Sequence, residues 1–193
     1  MVNLPLGPGC FVAIVGPSGA GKDSVIDYAR RQLCERDDIV FVQRVVTRPM
    51  DPASEVHDSL TPEDFEKAQS AGRFALAWAA HGHHYGLPRE IDASVLDGRT
   101  VVANVSRQIL PEMRERYIHT HVVAISARPE IIAERLIARG REDRDAVMAR
   151  MQRGDIPVTG DDVIHIDNSG ALADAGAALV EALLHTLPQN RNP

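Results

Sequence analysis

The segment Gly16-Pro17-Ser18-Gly19-Ala20-Gly21-Lys22 constrains the fold of this chain more than any other stretch. It follows a short apolar run, FVAIV (11–15), and precedes a stretch in which Val25, Ile26, Ala29 and Leu33 recur at helical spacing. A buried strand that runs through a glycine-rich turn into a helix makes a cradle for phosphate. Gly16, Gly19 and Gly21 let backbone N–H groups turn inward, and the helix N-terminus adds a dipole that favours anions. Lys22 then reaches the β- and γ-phosphates of a nucleotide. The plain alternative is a glycine turn that ends in lysine by chance, and the flanking strand and helix argue against it. Pro17, Ser18 and Ala20 complete the expected nucleotide-binding loop, with Lys22 as its catalytic cation.

Position 23 departs from the usual pattern. A hydroxyl normally follows the loop lysine and helps to hold magnesium; here the residue is Asp23, and Ser24 comes one position later. A bare carboxylate would repel phosphate, but a hard dication between the two reverses the sign. Loops of this kind usually share the metal with an acid at the end of a later strand. The corresponding strand, TVVAN (100–104), ends in the neutral Asn104. One reading therefore moves the acidic metal contact from that strand to Asp23. The other makes Asp23 a helix cap and leaves Ser24 and water to hold the metal. Either way the expected cofactors are ATP and Mg2+.

The rest of the chain alternates strands and helices. Strands are expected at 39–46, 74–80, 100–105, 121–126 and 162–167. Helices are expected at 22–36, 61–72, 91–98, 127–140, 141–154 and 171–187. Segments 47–59 and 81–90 read as loops. In the helix from 61, Thr61 is the N-cap, Pro62 stands at N1, and Gly72 closes the element. This alternation predicts an α/β, P-loop NTPase-type fold: a mainly parallel sheet flanked by helices, in one domain spanning 1–193. Its ligand site lies beyond the carboxyl ends of the strands.

Bulk properties narrow the partners. A net charge of −6 argues against a protein that coats nucleic acid. No apolar run approaches the roughly 18 residues of a membrane helix, and the N-terminus lacks the pattern of a secretory signal. Two cysteines, Cys10 and Cys34, make no disulfide framework. A cytoplasmic protein is expected, with a homodimer left open. Lys22 and Lys67 are the only lysines. GC-rich coding accounts for most of that bias, although the arginine fork also suits phosphate oxygens.

Downstream, RLIARGREDRDAVMAR (135–150) spaces arginines along two expected helices that meet at Gly140. With the loop, this segment resembles the guanylate kinase family, in which such a stretch is a mobile lid that neutralises the transferring phosphoryl group. The resemblance implies Arg135, Arg139 and Arg150 as phosphate contacts and a lid over about 139–154. A solvated, salt-bridged helix pair is the plain alternative. VVTRP (45–49) matches the family's acceptor-phosphate segment and implies Thr47 and Arg48 as contacts. HGHHYG (81–86) falls where the family has a G-x-x-Y-G turn and implies Tyr85. The acceptor-binding region is then about 40–98, and IDNS (166–169) matches the adenine side.

The departures concern the acceptor. That family reads guanine with acidic side chains in two segments. Here those segments are FALAWAA (74–80) and ANVSR (103–107), and neither carries an acid. A site that has lost the partners of a base edge no longer discriminates the base. The pattern, with Asp after the loop lysine, is similar to the ribose 1,5-bisphosphate phosphokinases. The resemblance implies a small phosphorylated sugar as acceptor and 5-phosphoribosyl 1-diphosphate as product. Arg44, His81 and Arg107 are candidates to join Thr47, Arg48 and Tyr85 in binding it. A nucleoside monophosphate kinase is the nearest alternative. A non-catalytic binding module is disfavoured by the retained Lys22, Arg135 and Arg139, and a hydroxyl-phosphorylating kinase by the absence of a clear base.

Overall fold

The computed structural model describes residues 4–47, 58–80, 82–138 and 158–187. The expected lid helix at 141–154 therefore lies outside the described residues, as do Arg48, His81, Arg139 and Arg150. Strand β1 (Leu6–Val15) runs down the middle of a five-stranded sheet. Phe11 through Val15 are all fully buried, as expected of a strand covered on both faces. Burial of each large apolar side chain contributes about 1.5–3 kcal/mol, so this strand anchors the domain.

The sheet order is β2 (Ile39–Phe41), β7 (Thr100–Asn104), β1, β8 (Tyr117–Ser126), β9 (Val163–Asp167), and every pairing is parallel. Two apolar layers cover it. Residues of α1 (Lys22–Gln32) and of the last helix, α6 (Leu172–His185), pack with Val12, Ile14 and Val102 on one face. Ile91 and Val95 of α3 (Ile91–Leu96) pack with Phe11, Ala13 and Val101 on the other, with Leu110 and Met113 of α4 (Leu110–Arg116). Helix α5 (Pro129–Ala138) follows β8. Gly176 lets α6 meet α1 closely, since a Cβ there would lie 2.3 Å from the Tyr28 ring.

A second, four-stranded sheet has the order β4 (Asp58–Ser59), β3 (Val45–Val46), β6 (His83–Pro88), β5 (Phe74–Ala80). Helix α2 (Pro62–Ser70) precedes β5, and the expected cap is present: the Thr61 hydroxyl accepts from the Asp64 N–H at 3.1 Å.

Two expectations are corrected here. The strand read across 39–46 is two strands in two sheets. Residues 39–41 join the parallel sheet, 45–46 join the small sheet, and the chain crosses between them at 42–44. A continuous β-branched run cannot reveal that its pairing partner changes midway. The glycine-rich stretch read as a loop is mostly strand β6. It pairs antiparallel with β5 from Ala80↔His83 to Phe74↔Pro88, with Gly82 at φ 75° in the turn. Cross-strand packing supplies what composition hides: Trp78 stacks on Tyr85 at 5.5 Å and 7°. Sequence patterning also missed α4 and the first residues of β8.

The end of the sheet remote from the glycine loop carries an ionic cluster centred on a buried carboxylate. Asp92, 8% exposed, accepts from both the Nε and the terminal nitrogen of Arg116, from the Tyr117 hydroxyl at 2.8 Å, and pairs with Arg89 at 2.9 Å. The hydrogen bond to Asp92 holds the Arg116 guanidinium above its ordinary pKa, and burial, followed by the Asp92 charge, pushes the Tyr117 phenol up. Removing one partner of such a cluster strands the others. Asp92→Ala is expected to cost about 3 kcal/mol of stability, read from urea unfolding; a loss within about 0.5 kcal/mol, the scale of ordinary surface changes, would show that the cluster contributes little.

Candidate active site

The loop between β1 and α1 has the backbone that its glycines predict. Gly16, Gly19 and Gly21 sit at φ 148°, 88° and 82°, a region that side-chain-bearing residues avoid. Close packing requires them as well. A Cβ at Gly16 would lie 2.0 Å from the Ile125 carbonyl oxygen, and one at Gly21 would lie 2.5 Å from Asn168 Nδ2. Gly21 caps α1, and Lys22 opens it. Lys22 Nζ arches back to donate to the carbonyls of Gly16 and Pro17, both at 2.9 Å. Its charge therefore stands at the mouth of the cradle. Pro17 and Ser18 form the outer rim, while Gly19 and Ala20 are buried.

The floor of the loop is fixed by residues after β9 and in α5. Asn168, just beyond β9 and 2% exposed, donates from Nδ2 to the Ala20 carbonyl at 2.8 Å, and its own N–H donates to the Ser126 carbonyl at 2.7 Å. Arg135 of α5 donates to the same Ala20 carbonyl at 3.3 Å and to the Asn168 carbonyl at 2.9 Å. The predicted phosphate contact Arg135 therefore stands beside the loop, with its guanidinium on backbone oxygens. Asn168 was missed as a site residue. Its segment was noticed in the sequence, but nothing there shows which side chain faces the loop.

Asp23 is half-buried and Ser24 exposed in the first turn of α1. The N-cap is Gly21, which has no side chain, and the Asp23 carboxylate accepts from Asn104 Nδ2 at 2.6 Å. Asn104 stands at the end of β7, opposite Ile14 in register. Asp23, Ile26, Asp27, Arg30, Val42, Val102 and Asn104 line a small cleft beside the helix.

On the second sheet, Arg44 lies over the Tyr85 ring at 5.5 Å, and Tyr85 in turn stacks on Trp78. Thr47 is partly committed to structure. Its hydroxyl accepts from the His84 N–H at 2.9 Å, and its own N–H donates to the His84 carbonyl at 3.0 Å. Arg107 begins a 3-10 turn, Arg107–Ile109, three residues beyond Asn104. The neighbouring Gln108 Nε2 donates to the Ala79 carbonyl at 2.6 Å and ties that turn to β5. Tyr85, Arg44 and Trp78 thus form one wall of the second sheet, and Thr47 extends the pairing of β3 with β6.

No family model matches the chain. Several curated proteins do. The chain is 49% identical over 181 residues to "Ribose 1,5-bisphosphate phosphokinase PhnN" of Brucella melitensis biotype 2, covering 93% of the chain and 92% of that protein. The protein of the same name from Chelativorans sp. is 47% identical over 184 residues, covering 93% and 87%. That of Pseudofrankia inefficax is 44% identical over 183 residues, covering 93% of each. Among solved structures, guanylate kinase from Anaplasma phagocytophilum superposes with a TM-score of 0.64 at 17% identity, covering 96% of this chain and 89% of that one. A sugar kinase from Janibacter sp. HTCC2649 gives 0.55 at 16%, covering 94% and 97%. These two likenesses concern the fold alone.

Asn168→Ala leaves the Ala20 carbonyl without its 2.8 Å donor and loosens the cradle from beneath. ATP affinity is expected to fall about tenfold, the scale of one buried hydrogen bond, in a titration with a fluorescent ATP analogue. Unchanged affinity would show that the loop holds its shape without that side chain.

Proposed function

Because the chain belongs to the ribose 1,5-bisphosphate phosphokinase family, we propose that its site transfers the γ-phosphoryl group of ATP to the 1-phosphate of ribose 1,5-bisphosphate, giving 5-phosphoribosyl 1-diphosphate and ADP. The observation that carries this reading is 49% identity across nearly the whole chain to a relative of that name. The local chemistry agrees. The loop offers a ring of backbone donors and the Lys22 ammonium to a polyphosphate, and the second sheet offers Arg44, Tyr85 and Thr47 to a phosphorylated acceptor.

The acceptor atom is a phosphate oxygen. The second pKa of a phosphate monoester is about 6, so the nucleophile is already ionised near neutrality and no side chain has to remove its proton. The γ-phosphorus–oxygen bond to ADP breaks as the bond to the acceptor oxygen forms, and the leaving electron pair stays on the β-phosphate of ADP. The protein's part is to align the two oxygens and to neutralise charge. Lys22 does so from the loop, and Arg135, Arg139 and Arg150 do so from the lid side in this reading. Arg44, Thr47, Arg48, Tyr85, His81 and Arg107 hold the sugar phosphate. None of the side chains on FALAWAA (74–80) is an acid that could pair with a purine edge, so selectivity falls on phosphate and sugar.

The residues present suit a hard dication. Asp23 supplies a carboxylate and Ser24 a hydroxyl in the first turn of α1. The Asn104 side-chain oxygen, buried and without a hydrogen-bond partner among the described residues, belongs to the amide that donates to Asp23. Mg2+ bound there with the nucleotide would supply charge neutralisation across the phosphates. The chain's own task is to hold Asp23 where that charge is needed.

A coupled assay with ATP, magnesium and a set of acceptors tests the proposal, with products identified by phosphorus NMR. Ribose 1,5-bisphosphate is expected to be converted at least about a hundredfold faster than GMP or AMP, since losing paired polar contacts costs that much or more. Lys22→Met is expected to lower kcat by about 10²–10³-fold, the scale of one transition-state charge contact. Faster turnover of GMP would instead assign a nucleoside monophosphate kinase.

A further inference from the structure

The conventional arrangement puts a hydroxyl on the loop helix and a carboxylate at the strand end. This chain carries a carboxylate on the helix and an amide at the strand end, and the two are joined by a 2.6 Å hydrogen bond. We propose that Asn104 is the positioning residue for Asp23: it holds the Asp23 carboxylate in the orientation that a nucleotide-bound divalent cation needs. The inference rests on reading the loop as the metal–nucleotide site and adds a residue to it.

The geometry follows from strand alternation. Val102 packs with Val25 and Ile26 of α1 in one apolar layer. Asn104, two residues on, shares that face. It is the last residue of β7, level with Ile14, two positions before the glycine loop begins. The amide therefore meets Asp23 in the first turn of α1.

Polarity explains why the strand residue is an amide. A carboxylate at 104 would face the Asp23 carboxylate at hydrogen-bond distance, and two like charges there would force one of them to keep a proton. An amide instead donates a hydrogen bond to the carboxylate and adds no second charge. The site keeps one negative charge and moves it from the sheet to the helix.

Asn104 is 5% exposed, and only one end of its amide is used within the described residues. Nδ2 donates to Asp23, while Oδ1 is buried with no hydrogen-bond partner. Buried carbonyl oxygens are almost always paired, with protein or with water. Asn104 also lines the cleft shared with Asp23 and Asp27. An acceptor oxygen beside a carboxylate suits an O–H donor, and the water shell of a divalent cation supplies such donors. The Mg2+ shell retains several waters even when it is bound to protein.

The test measures metal binding directly. Mn2+ binding is followed by the loss of its free EPR signal in the presence of ADP, and fluorescent ADP binding is measured in Mg2+ and in EDTA. Wild-type protein is expected to gain at least about tenfold in ADP affinity from the metal. Asn104→Leu, close in size but without the amide, is expected to lose most of that gain and to weaken Mn2+ binding roughly tenfold. Its affinity for ADP in EDTA should stay within about twofold, which a general collapse of the site would not permit. Asn104→Ser provides the same comparison should the leucine variant fail to fold.

The doubly exchanged Asp23→Asn/Asn104→Asp protein restores one carboxylate and one amide across the same bond. It is expected to recover at least half of the metal-dependent gain that Asp23→Asn alone loses. Wild-type Mn2+ affinity in Asn104→Leu, or no recovery in the exchanged pair, overturns the role of Asn104. ADP binding by the wild type that ignores magnesium overturns the metal reading and this inference together.

Discussion

The Ala20 carbonyl is the point on which the site depends. Two side chains from separate parts of the chain, Asn168 and Arg135, converge on it. A glycine-rich loop has little conformational preference of its own, since glycine costs the most entropy to order. Its cradle shape must therefore be imposed from outside. Gly16 pressed against the Ile125 carbonyl, Gly21 against the Asn168 amide and Ala20 held from below supply that constraint. The parallel sheet matters because it brings the ends of β1, β8 and β9 to the same level.

The same economy of position governs the second sheet. The chain leaves the main sheet after Phe41 and re-forms strand at Val45, so Arg44 sits where the two sheets part. From there β3 pairs with β6, and Thr47 continues that pairing through its hydroxyl. On the return, Gln108 joins the turn after β7 to the backbone of β5. Asn104 and Arg107 lie three residues apart on this stretch, one beside the loop helix and the other in the turn tied to β5. A short run of chain thus links the glycine loop's helix to the second sheet.

Much of this was legible in the sequence, for identifiable reasons. The loop could be read because strand, glycines, lysine and helix follow one another without interruption, and each step has a local cause. The Thr61 cap was legible for the same reason. What escaped depends on partners distant in sequence. Nothing in the run from Ile39 to Val46 announces that half of it pairs with β7 and half with β6. The histidine- and glycine-rich stretch from 81 to 86 looks like a loop until Trp78 is seen across from Tyr85. Asn104 was legible as a missing acid, but its contact with Asp23 spans 81 positions, and only the parallel register brings the two together. Asn168 is a similar case: a polar residue after a strand whose importance appears once the loop lies above it.

Trp78 is the chain's single tryptophan, 7% exposed and stacked on Tyr85 beneath Arg44. The protein's indole emission consequently arises from one wall alone, the face that this reading gives to the sugar phosphate. On that reading it carries a built-in optical reporter for the acceptor half, while the loop of residues 16–22 has no indole of its own.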